Sequence, residues 1–475
     1  MRAYFLKIRK CFTSERVVAL LIIVGCALRI WYAIETPVTL RGHDIWQLTP
    51  YAKGKAAYLL RLVEWGKLPD SYELQFYQQP FYFLLSALVA IIMRGVTGIT
   101  DAAFLVNAGK VVSCVASCLS LFLSERLLQE FCPNRKVVGY GVAILSFTPV
   151  FWLTGGRLGE DALTFLFMVA VILGTIRWEK NPDWKHTVLL AVLYGCGMMT
   201  KISLAFPAFY TAYRFWKNRK IRLFIPKMGV FALISMPLGM WYSVRNYILF
   251  GQPIGYVLPQ GGTLDREGYS YVARYFSFDI KSWLSSPYAD PYSDYNLPVY
   301  LLKTELFGEF TYEMPVWIPT VFLFVSTLLT LAVAAIGIYR ICRWKTFSGD
   351  KRPLIYGLLF GAYTAISYFK LPYGCSMDFR YYMMLTVCKV LVLSGFLGEK
   401  TGAEIEVGSK ENGEEIEISS GENGEEVEVS SDGMGEKIEL SSAVGFAQEK
   451  LLLQNALKVL CVLFVGISAV FYVLL

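Results

Sequence analysis

Three acidic residues stand where apolar segments of the chain end or begin. Asp44 follows the first apolar run, and the adjacent pair Glu160 and Asp161 comes directly before another. A carboxylate at a membrane surface, with apolar walls and a low local dielectric, can act as a general base toward a hydroxyl group. We therefore predict that Asp44, Glu160 and Asp161 are catalytic. The alternatives for Asp44 are an interfacial helix cap and an ion pair with Arg41, and for the adjacent pair the alternative is an N-terminal helix cap.

Basic and aromatic side chains near the ends of the apolar runs are candidates for binding an anionic substrate. A guanidinium group can hold a phosphate through two parallel hydrogen bonds, and a lysine offers a compact positive charge. The alternatives are lysines that extend toward water and charges that stabilise helix ends. For Arg380 a pair with Asp378 is a further alternative. The predicted substrate-binding residues are His43, Arg157, Lys201, Arg245, Arg380 and Tyr381.

The composition excludes several classes of protein. Of the 475 residues, 55% are hydrophobic and the mean hydropathy is +0.45, which predicts a polytopic membrane protein rather than a soluble one. The chain contains two histidines, His43 and His186, which argues against a histidine-rich metal centre. The sequence lacks a phosphate-binding loop and a dinucleotide fingerprint, so nucleotide-driven chemistry is not supported. The sequence identifies no particular cofactor and leaves a divalent metal open, and we predict no nucleic-acid partner.

The distribution of Lys and Arg predicts the orientation, because basic loops stay on the cytoplasmic side of a membrane. If the short apolar run 81–93 does not cross, the basic segments before and after it all lie in the cytoplasm. We therefore predict a cell-membrane protein with a cytoplasmic N-terminus, eleven spans, and an apolar helix at 81–93 lying on the outer face. The predicted spans are 17–36, 103–123, 137–155, 162–178, 187–200, 202–216, 226–244, 316–339, 354–369, 381–397 and 450–475.

Two large segments on the predicted outer side interrupt the membrane helices. Their content of Tyr, Trp, Pro and Gly is typical of structured loops that carry a functional site. The predicted organisation is a basic N-terminus (1–16), a transmembrane module (17–244) that includes the first outer loop (37–102), a second outer loop (245–315), C-terminal transmembrane helices (316–397), an acidic cytoplasmic insertion (398–449) and a last transmembrane helix (450–475).

The acidic insertion contains a repeat of 11 residues over positions 402–442. Residues 401–449 hold 14 acids and two bases, and within each unit apolar residues alternate with glutamates. This alternation is strand periodicity, so a small β-meander is one interpretation. The other is an expanded, disordered segment, because so few apolar groups cannot offset the entropy of ordering. Neither interpretation gives the insertion a catalytic residue.

Several motifs occur in an order that is similar to a known family. The sequence resembles the GT-C superfamily of integral-membrane glycosyltransferases, in particular the family 39-like branch of protein O-mannosyltransferases and the aminoarabinose transferase. The similarity extends over about residues 17–397. The motifs that carry it are Gly42-His43-Asp44, Gln78-Gln79-Pro80, Arg157-Leu-Gly-Glu160-Asp161, Met199-Thr200-Lys201, Trp241-Tyr242-x-x-Arg245-Asn246 and Asp378-Phe379-Arg380-Tyr381.

The resemblance implies an all-α GT-C fold with a structured first outer loop that contains juxtamembrane helices. It also implies inverting transfer of a sugar from a polyprenyl-phosphate donor to a glycan, lipid or protein, with Asp44 as the base and with Arg380 and Lys201 near the phosphate. Two motifs depart from the family pattern: Asp44 is followed by Ile45 rather than Glu, and Gln78-Gln79-Pro80 replaces His-Pro-Pro. These departures leave the acceptor and the role of a metal open.

Two functions of other classes compete with the enzyme. A transporter of lipid-linked sugars should show internal repeats and helices broken near the middle of the membrane, whereas here the polar residues cluster at helix ends. A non-catalytic scaffold would use the acidic insertion to recruit basic partners. Loss of sugar transfer in an Asp44→Asn variant is expected only for the enzyme.

Overall fold

The part of the chain that the structure describes is almost entirely helical. The computed structural model describes residues 13–217, 221–399 and 435–475, and it describes side chains in all of these except 221–224 and 435–447. No strand occurs within those ranges, and Asp265 and Tyr373 form an isolated antiparallel bridge. The predicted all-α class is therefore confirmed.

The α-helices are α1 (Ser14–Glu35), α2 (Lys55–Trp65), α3 (Phe81–Thr97), α4 (Ala102–Gly109), α5 (Val111–Phe131), α6 (Arg135–Phe147), α7 (Pro149–Gly155), α8 (Asp161–Lys180), α9 (Trp184–Thr200), α10 (Ala208–Lys217), α11 (Ile221–Phe250), α12 (Ile280–Ser285), α13 (Leu297–Phe307), α14 (Trp317–Cys342), α15 (Arg352–Lys370), α16 (Met384–Leu397) and α17 (Gly435–Val473). Side-chain caps start several of them. Asn134 accepts a hydrogen bond from the backbone of Lys136, and Asp183 accepts one from that of His186. Gly66 and Gly98 end α2 and α3 with φ of +62° and +72°.

Several helices are long and apolar enough to cross a membrane. Among the described residues five pass this test of length and hydropathy, and six do if the bent pair α6 and α7 is one span. This finding agrees with the predicted polytopic membrane protein, while the predicted number of eleven spans stays a prediction. The five are Ser14–Glu35, Ala102–Phe131, Asp161–Lys180, Trp317–Cys342 and Gln448–Val473.

The predicted continuous run 137–155 is two helices that meet at an angle of 49°. Pro149 has no N–H to donate to the carbonyl of Leu145, so the helix breaks there. A buried arginine of α1 supplies the missing donor: Arg29 Nη2 donates to Leu145 O at 2.9 Å, and its Nη1 donates to Ser146 O at 3.2 Å. Arg29 Nε also donates to Ser117 Oγ at 3.0 Å, so one side chain joins α1, α5 and α6.

The first outer loop is folded, as predicted. Helices α2 and α3 pack on each other through a buried apolar cluster that includes Tyr58, Phe76 and Phe83. The rings of Tyr58 and Phe83 stack with centroids 4.1 Å apart. The opposite face of α3 exposes Leu84, Leu88 and other apolar side chains. A helix with one packed face and one exposed apolar face suits the predicted position at the membrane surface.

The second outer loop is fastened to the short connection between α15 and α16. Arg266 N donates to Pro372 O at 2.7 Å, and the Arg266 guanidinium donates to Pro291 O at 2.6 Å and to Asp294 O at 2.8 Å. Gly374 lies so close to Pro291 that a Cβ added at Gly374 would be 1.9 Å from the carbonyl oxygen of Pro291. The second outer loop therefore fixes the connection that leads to Asp378 and Arg380.

The last helix begins earlier than the sequence predicted. Helix α17 starts at Gly435, so the fourth unit of the acidic repeat, residues 435–442, is helical. The strand interpretation is wrong for that unit, which continues without interruption into the apolar helix that follows it. The first three units lie outside the described residues.

Candidate functional site

Charged side chains from distant parts of the chain meet in one place. Lys55 Nζ lies 3.9 Å from Asp44 Oδ2 and 3.3 Å from Glu160 Oε2. Lys201 Nζ lies 3.1 Å from Glu160 Oε1 and 2.6 Å from Asp161 Oδ1. Arg380 Nε lies 4.0 Å from Asp161 Oδ2. We call these six residues (Asp44, Lys55, Glu160, Asp161, Lys201 and Arg380) the charged cluster.

A turn of the chain over residues 44–55 holds Asp44 against the start of α2. Asp44 has a φ of +60°, and its carbonyl accepts a hydrogen bond from Lys55 N at 3.1 Å. Gly54 has a φ of +110°, and a Cβ there would come within 2.7 Å of the Asp44 carbonyl oxygen. This turn brings the carboxylate of Asp44 beside the Lys55 ammonium group while leaving its side chain 29% exposed. Asp44 is thus the most accessible acid of the charged cluster.

Glu160 and Asp161 stand at the start of α8, and Lys201 follows the end of α9. Glu160 is buried and makes no side-chain cap hydrogen bond, so it does not cap α8. Burial alone would raise the pKa of Glu160, but the charges of Lys55 and Lys201 outweigh it and hold that pKa well below its usual value. Burial alone would lower the pKa of Lys201, but the negative charges of Asp161 and Glu160 outweigh it and raise that pKa above its usual value. The opposite charges around Glu160 and Lys201 therefore favour the ionised form of both side chains.

Arg380 is held from two sides within the turn before α16. Its Nε lies 3.3 Å from Asp378 Oδ2, as the sequence suggested, and its Nη2 donates to Tyr381 Oη at 2.6 Å. The Lys201 ammonium lies 4.5 Å from the centre of the Tyr381 ring. Lys201, Arg380 and Tyr381 line a cavity together with Asp161, and its remaining wall includes Thr164, Phe165 and Met168. This cavity places two positive charges and the Asp161 carboxylate beside an apolar wall.

A second cavity lies on the other side of Arg380 and Asp161. Its lining includes His43, Lys55 and Arg157. The Arg157 guanidinium is buried and lies 4.4 Å from the centre of the Phe310 ring, with Nε and Nη2 making no hydrogen bond to any described residue. The two cavities therefore meet at Arg380, with Asp44 linked to them through Lys55.

His43 faces two carboxylates that the sequence did not assign to the site. Its Nδ1 lies 3.7 Å from Glu309 Oε2, and its Nε2 lies 3.7 Å from Asp378 Oδ2. Burial lowers the pKa of His43 well below its usual value, and the positive charge of Arg380 adds to this effect. Burial, and then the charge of Asp378, raises the pKa of Glu309 to about 7. One ligand atom from each of the three lies within 4.8 Å of the others, so this group could hold a metal ion.

Arg245 is a predicted site residue that belongs neither to the charged cluster nor to the lining of the two cavities. Its guanidinium donates to Pro69 O at 3.1 Å and to Asn246 Oδ1 at 2.8 Å, and it lies over the ring of Tyr242. These contacts join α11 to the first outer loop. Arg41 does not pair with Asp44 either, because its guanidinium lies over Tyr312, with Cζ 4.4 Å from the ring centre.

Comparison with known proteins agrees with a membrane glycosyltransferase. Residues 84–241 match the family model described as dolichyl-phosphate-mannose-protein mannosyltransferase. The match includes Arg157, Glu160, Asp161 and Lys201, and it confirms the predicted resemblance to the GT-C superfamily of glycosyltransferases. Asp44 and Arg380 lie outside the matched residues. No curated protein matches the sequence significantly.

Solved structures also match the chain. One is the crystal structure of ArnT from Cupriavidus metallidurans bound to undecaprenyl phosphate. It aligns with a TM-score of 0.36 and 14% sequence identity, over 82% of this chain and 79% of that one.

Proposed function

We propose that this GT-C glycosyltransferase moves a sugar from a polyprenyl-phosphate donor to a hydroxyl group at the outer membrane face, with inversion and with Asp44 as the general base. The observation that carries the proposal is the link from Asp44 through Lys55 to the buried Glu160 and onward to Lys201. The accessible carboxylate of Asp44, the buried ammonium group of Lys55 and the partly buried ammonium group of Lys201 are thereby held in one network. The acceptor is a glycan, a lipid or a protein.

Lys201 and Arg380, which line the first cavity, are the proposed contacts of the donor phosphate. Both cations are held in place by acids, so little order has to be gained when an anion binds. A buried guanidinium and an ammonium group attract a phosphate more strongly than they would in water, because the local dielectric is low. The apolar wall of Phe165 and Met168 suits the start of a prenyl chain.

The proposed step is a single displacement at the anomeric carbon. The acceptor oxygen forms a bond to that carbon while the bond from the carbon to the phosphate oxygen breaks. The acceptor proton passes to the Asp44 carboxylate, and the electron pair of the broken bond leaves with the polyprenyl phosphate. Lys201 and Arg380 stabilise the charge that develops on this leaving group. Attack opposite the phosphate inverts the configuration.

The outer location rests on charge and on donor chemistry. Basic segments such as 1–16 and 340–352 orient the chain with Asp44, Glu160 and Arg380 on the non-cytoplasmic side. Nucleotide sugars are scarce on that side, so an activated sugar has to reach it attached to a membrane lipid. A cation pair beside apolar side chains fits such a donor.

An Asp44→Asn variant tests the proposed base. We expect kcat for transfer from a polyprenyl-phosphate sugar to fall by about 10²–10⁴-fold, because an amide cannot take the proton from the attacking hydroxyl group. The matched control is Asp70→Asn in the same outer loop, where the acid is 83% exposed and pairs with Arg61, and here kcat should stay within about twofold. Transfer by folded Asp44→Asn protein at the wild-type rate would falsify the role of Asp44.

The same preparations separate the competing functions. Wild-type protein in lipid vesicles should convert the donor to free polyprenyl phosphate only when an acceptor is present. Movement of the labelled donor between leaflets with no transfer would favour the transporter. Deletion of residues 401–434 should leave transfer intact, whereas a scaffold would lose its function.

A further inference from the structure

His43, Glu309 and Asp378 form a compact group of possible ligands that the sugar-transfer step does not use. His43 comes from the first outer loop, Glu309 follows α13, and Asp378 precedes the turn that holds Arg380. The histidine lies between the two acids, with distances of 3.7 Å from Nδ1 to Glu309 Oε2 and 3.7 Å from Nε2 to Asp378 Oδ2. All three side chains are largely buried.

In each carboxylate of this group, one oxygen accepts a hydrogen bond and the other faces His43. Glu309 Oε1 accepts a hydrogen bond from Tyr300 Oη at 2.6 Å, and Asp378 Oδ1 accepts one from Arg380 N at 3.1 Å. In metal sites the ligand side chains typically make hydrogen bonds to neighbouring groups through one atom, and these bonds orient the other atom toward the metal.

Two buried atoms of the group lack a hydrogen bond within the described chain. They are His43 Nε2 and Asp378 Oδ2, and Asp378 is only 1% exposed. Arg380 Nε approaches the same Asp378 oxygen at 3.3 Å, but it makes no hydrogen bond to it. A buried carboxylate oxygen without a hydrogen bond is costly, so a partner that is not part of the chain is expected at this point.

We propose that His43, Glu309 and Asp378 bind one divalent cation, of the kind represented by Mn²⁺ and Zn²⁺. One imidazole nitrogen and two carboxylate oxygens form a ligand set that suits these ions. The ion joins the first outer loop, the segment after α13 and the turn before α16, and so it fixes His43 and its neighbour Asp44. Binding does not depend on the proposed sugar transfer.

Metal content tests the proposal without any assay of transfer. Untagged full-length protein in detergent is stripped with EDTA, incubated with Mn²⁺ or Zn²⁺, freed of excess ion and analysed by elemental mass spectrometry. We expect about one equivalent of bound metal, and a melting temperature that rises with metal concentration because the ion binds the folded state. Less than a tenth of an equivalent for both ions would overturn the proposal.

Variants assign the ligands. His43→Gln, Glu309→Gln and Asp378→Asn should each weaken metal binding at least tenfold. The matched control is His186→Gln, which changes the other histidine of the chain, and it should retain full binding. His186 lies at the start of α9, where its Nδ1 is 2.7 Å from Asp183. Unchanged binding in the three ligand variants would overturn the proposal.

A spectroscopic measurement keeps the test valid if a ligand variant fails to fold. Electron spin echo spectra of bound Mn²⁺ reveal coupling to a directly bound imidazole nitrogen. Wild-type protein and His186→Gln should both show this coupling, and because the chain has two histidines, this result assigns it to His43. Bound Mn²⁺ without nitrogen coupling would contradict the site. Protein that transfers sugar but binds no metal would overturn the metal site alone. Protein that binds metal but transfers no sugar would overturn the proposed function alone.

Discussion

The ammonium group of Lys55 lies 3.3 Å from a carboxylate oxygen of Glu160, and the two side chains are 3% and 2% exposed. Removing one partner of a buried ion pair leaves the other charge uncompensated, which costs about 3–5 kcal/mol. Because Glu160 also contacts Lys201, we expect Lys55→Met to lower the free energy of unfolding by about 3 kcal/mol. Thermal unfolding in detergent measures this change.

The control for Lys55→Met is Lys53→Met. Lys53 also pairs with an acid of the first outer loop, Glu73, but both side chains are about half exposed. Exposed pairs contribute about 0–1 kcal/mol, so Lys53→Met should melt near the wild-type temperature. Equal melting temperatures for the two variants would contradict the buried pair of Lys55 and Glu160.

Arg380→Lys should weaken donor binding without unfolding the protein. Lysine keeps the positive charge but loses the planar fork, including the Nη2 hydrogen bond to Tyr381. A hydrogen bond to a charged group contributes about 1.5–3 kcal/mol, so KM for a polyprenyl-phosphate sugar should rise about 10–100-fold. The control is Arg352→Lys, which lies at the start of α15 and pairs with Asp350. A wild-type KM in the Arg380→Lys variant would contradict the proposed contact between Arg380 and the donor phosphate.

Gly54→Ala tests how the turn positions Asp44. The added Cβ would be 2.7 Å from the Asp44 carbonyl oxygen at a φ of +110°, so the turn has to move. We expect a loss of about 1–3 kcal/mol in stability together with a large loss of transfer. Gly66→Ala is the matched control, because Gly66 also has a positive φ, +62°, but open space around it. It should lose about 1–2 kcal/mol of stability and keep its transfer rate. Normal transfer in Gly54→Ala would show that the turn does not position the base.

Arg29→Met tests the break between α6 and α7. Without the guanidinium, the buried carbonyls of Leu145 and Ser146 lose their donors. A buried polar group left without a partner costs about 1–3 kcal/mol, so we expect a loss of about 3 kcal/mol in total. Arg126→Met, at a side chain that is 63% exposed, should have little effect. The melting temperatures of the two variants in detergent give the comparison, and equal values would show that Arg29 does not support the break.

Residue types at helix ends predicted most of the charged cluster. Asp44, Glu160, Asp161, Lys201 and Arg380 all stand where apolar runs end or begin. Loops that face the same side of a membrane bring such residues near one another, and the structure joins these five in one network. The all-α class followed from composition and periodicity in the same way.

The residues that sequence reasoning missed depend on tertiary folding. Lys55 enters the cluster because the turn at Gly54 folds α2 back against Asp44, and hydrophobic periodicity carries no signal for such a turn. Glu309 joins His43 through a chain reversal at Gly308, which has a φ of +59°. By contrast, the sequence did carry a signal for the break at Pro149 that the predicted continuous span 137–155 did not use, because proline inside an apolar helix disrupts it.

The attachment that fixes the connection between α15 and α16 also links the second outer loop to Arg380. Arg266 ties the segment above that connection to Pro372, a few residues before Arg380. A displacement of the second outer loop would therefore reach the turn of Arg380, which we propose binds the donor phosphate. In the proposed mechanism, entry of the acceptor and release of the lipid product would then depend on one movement.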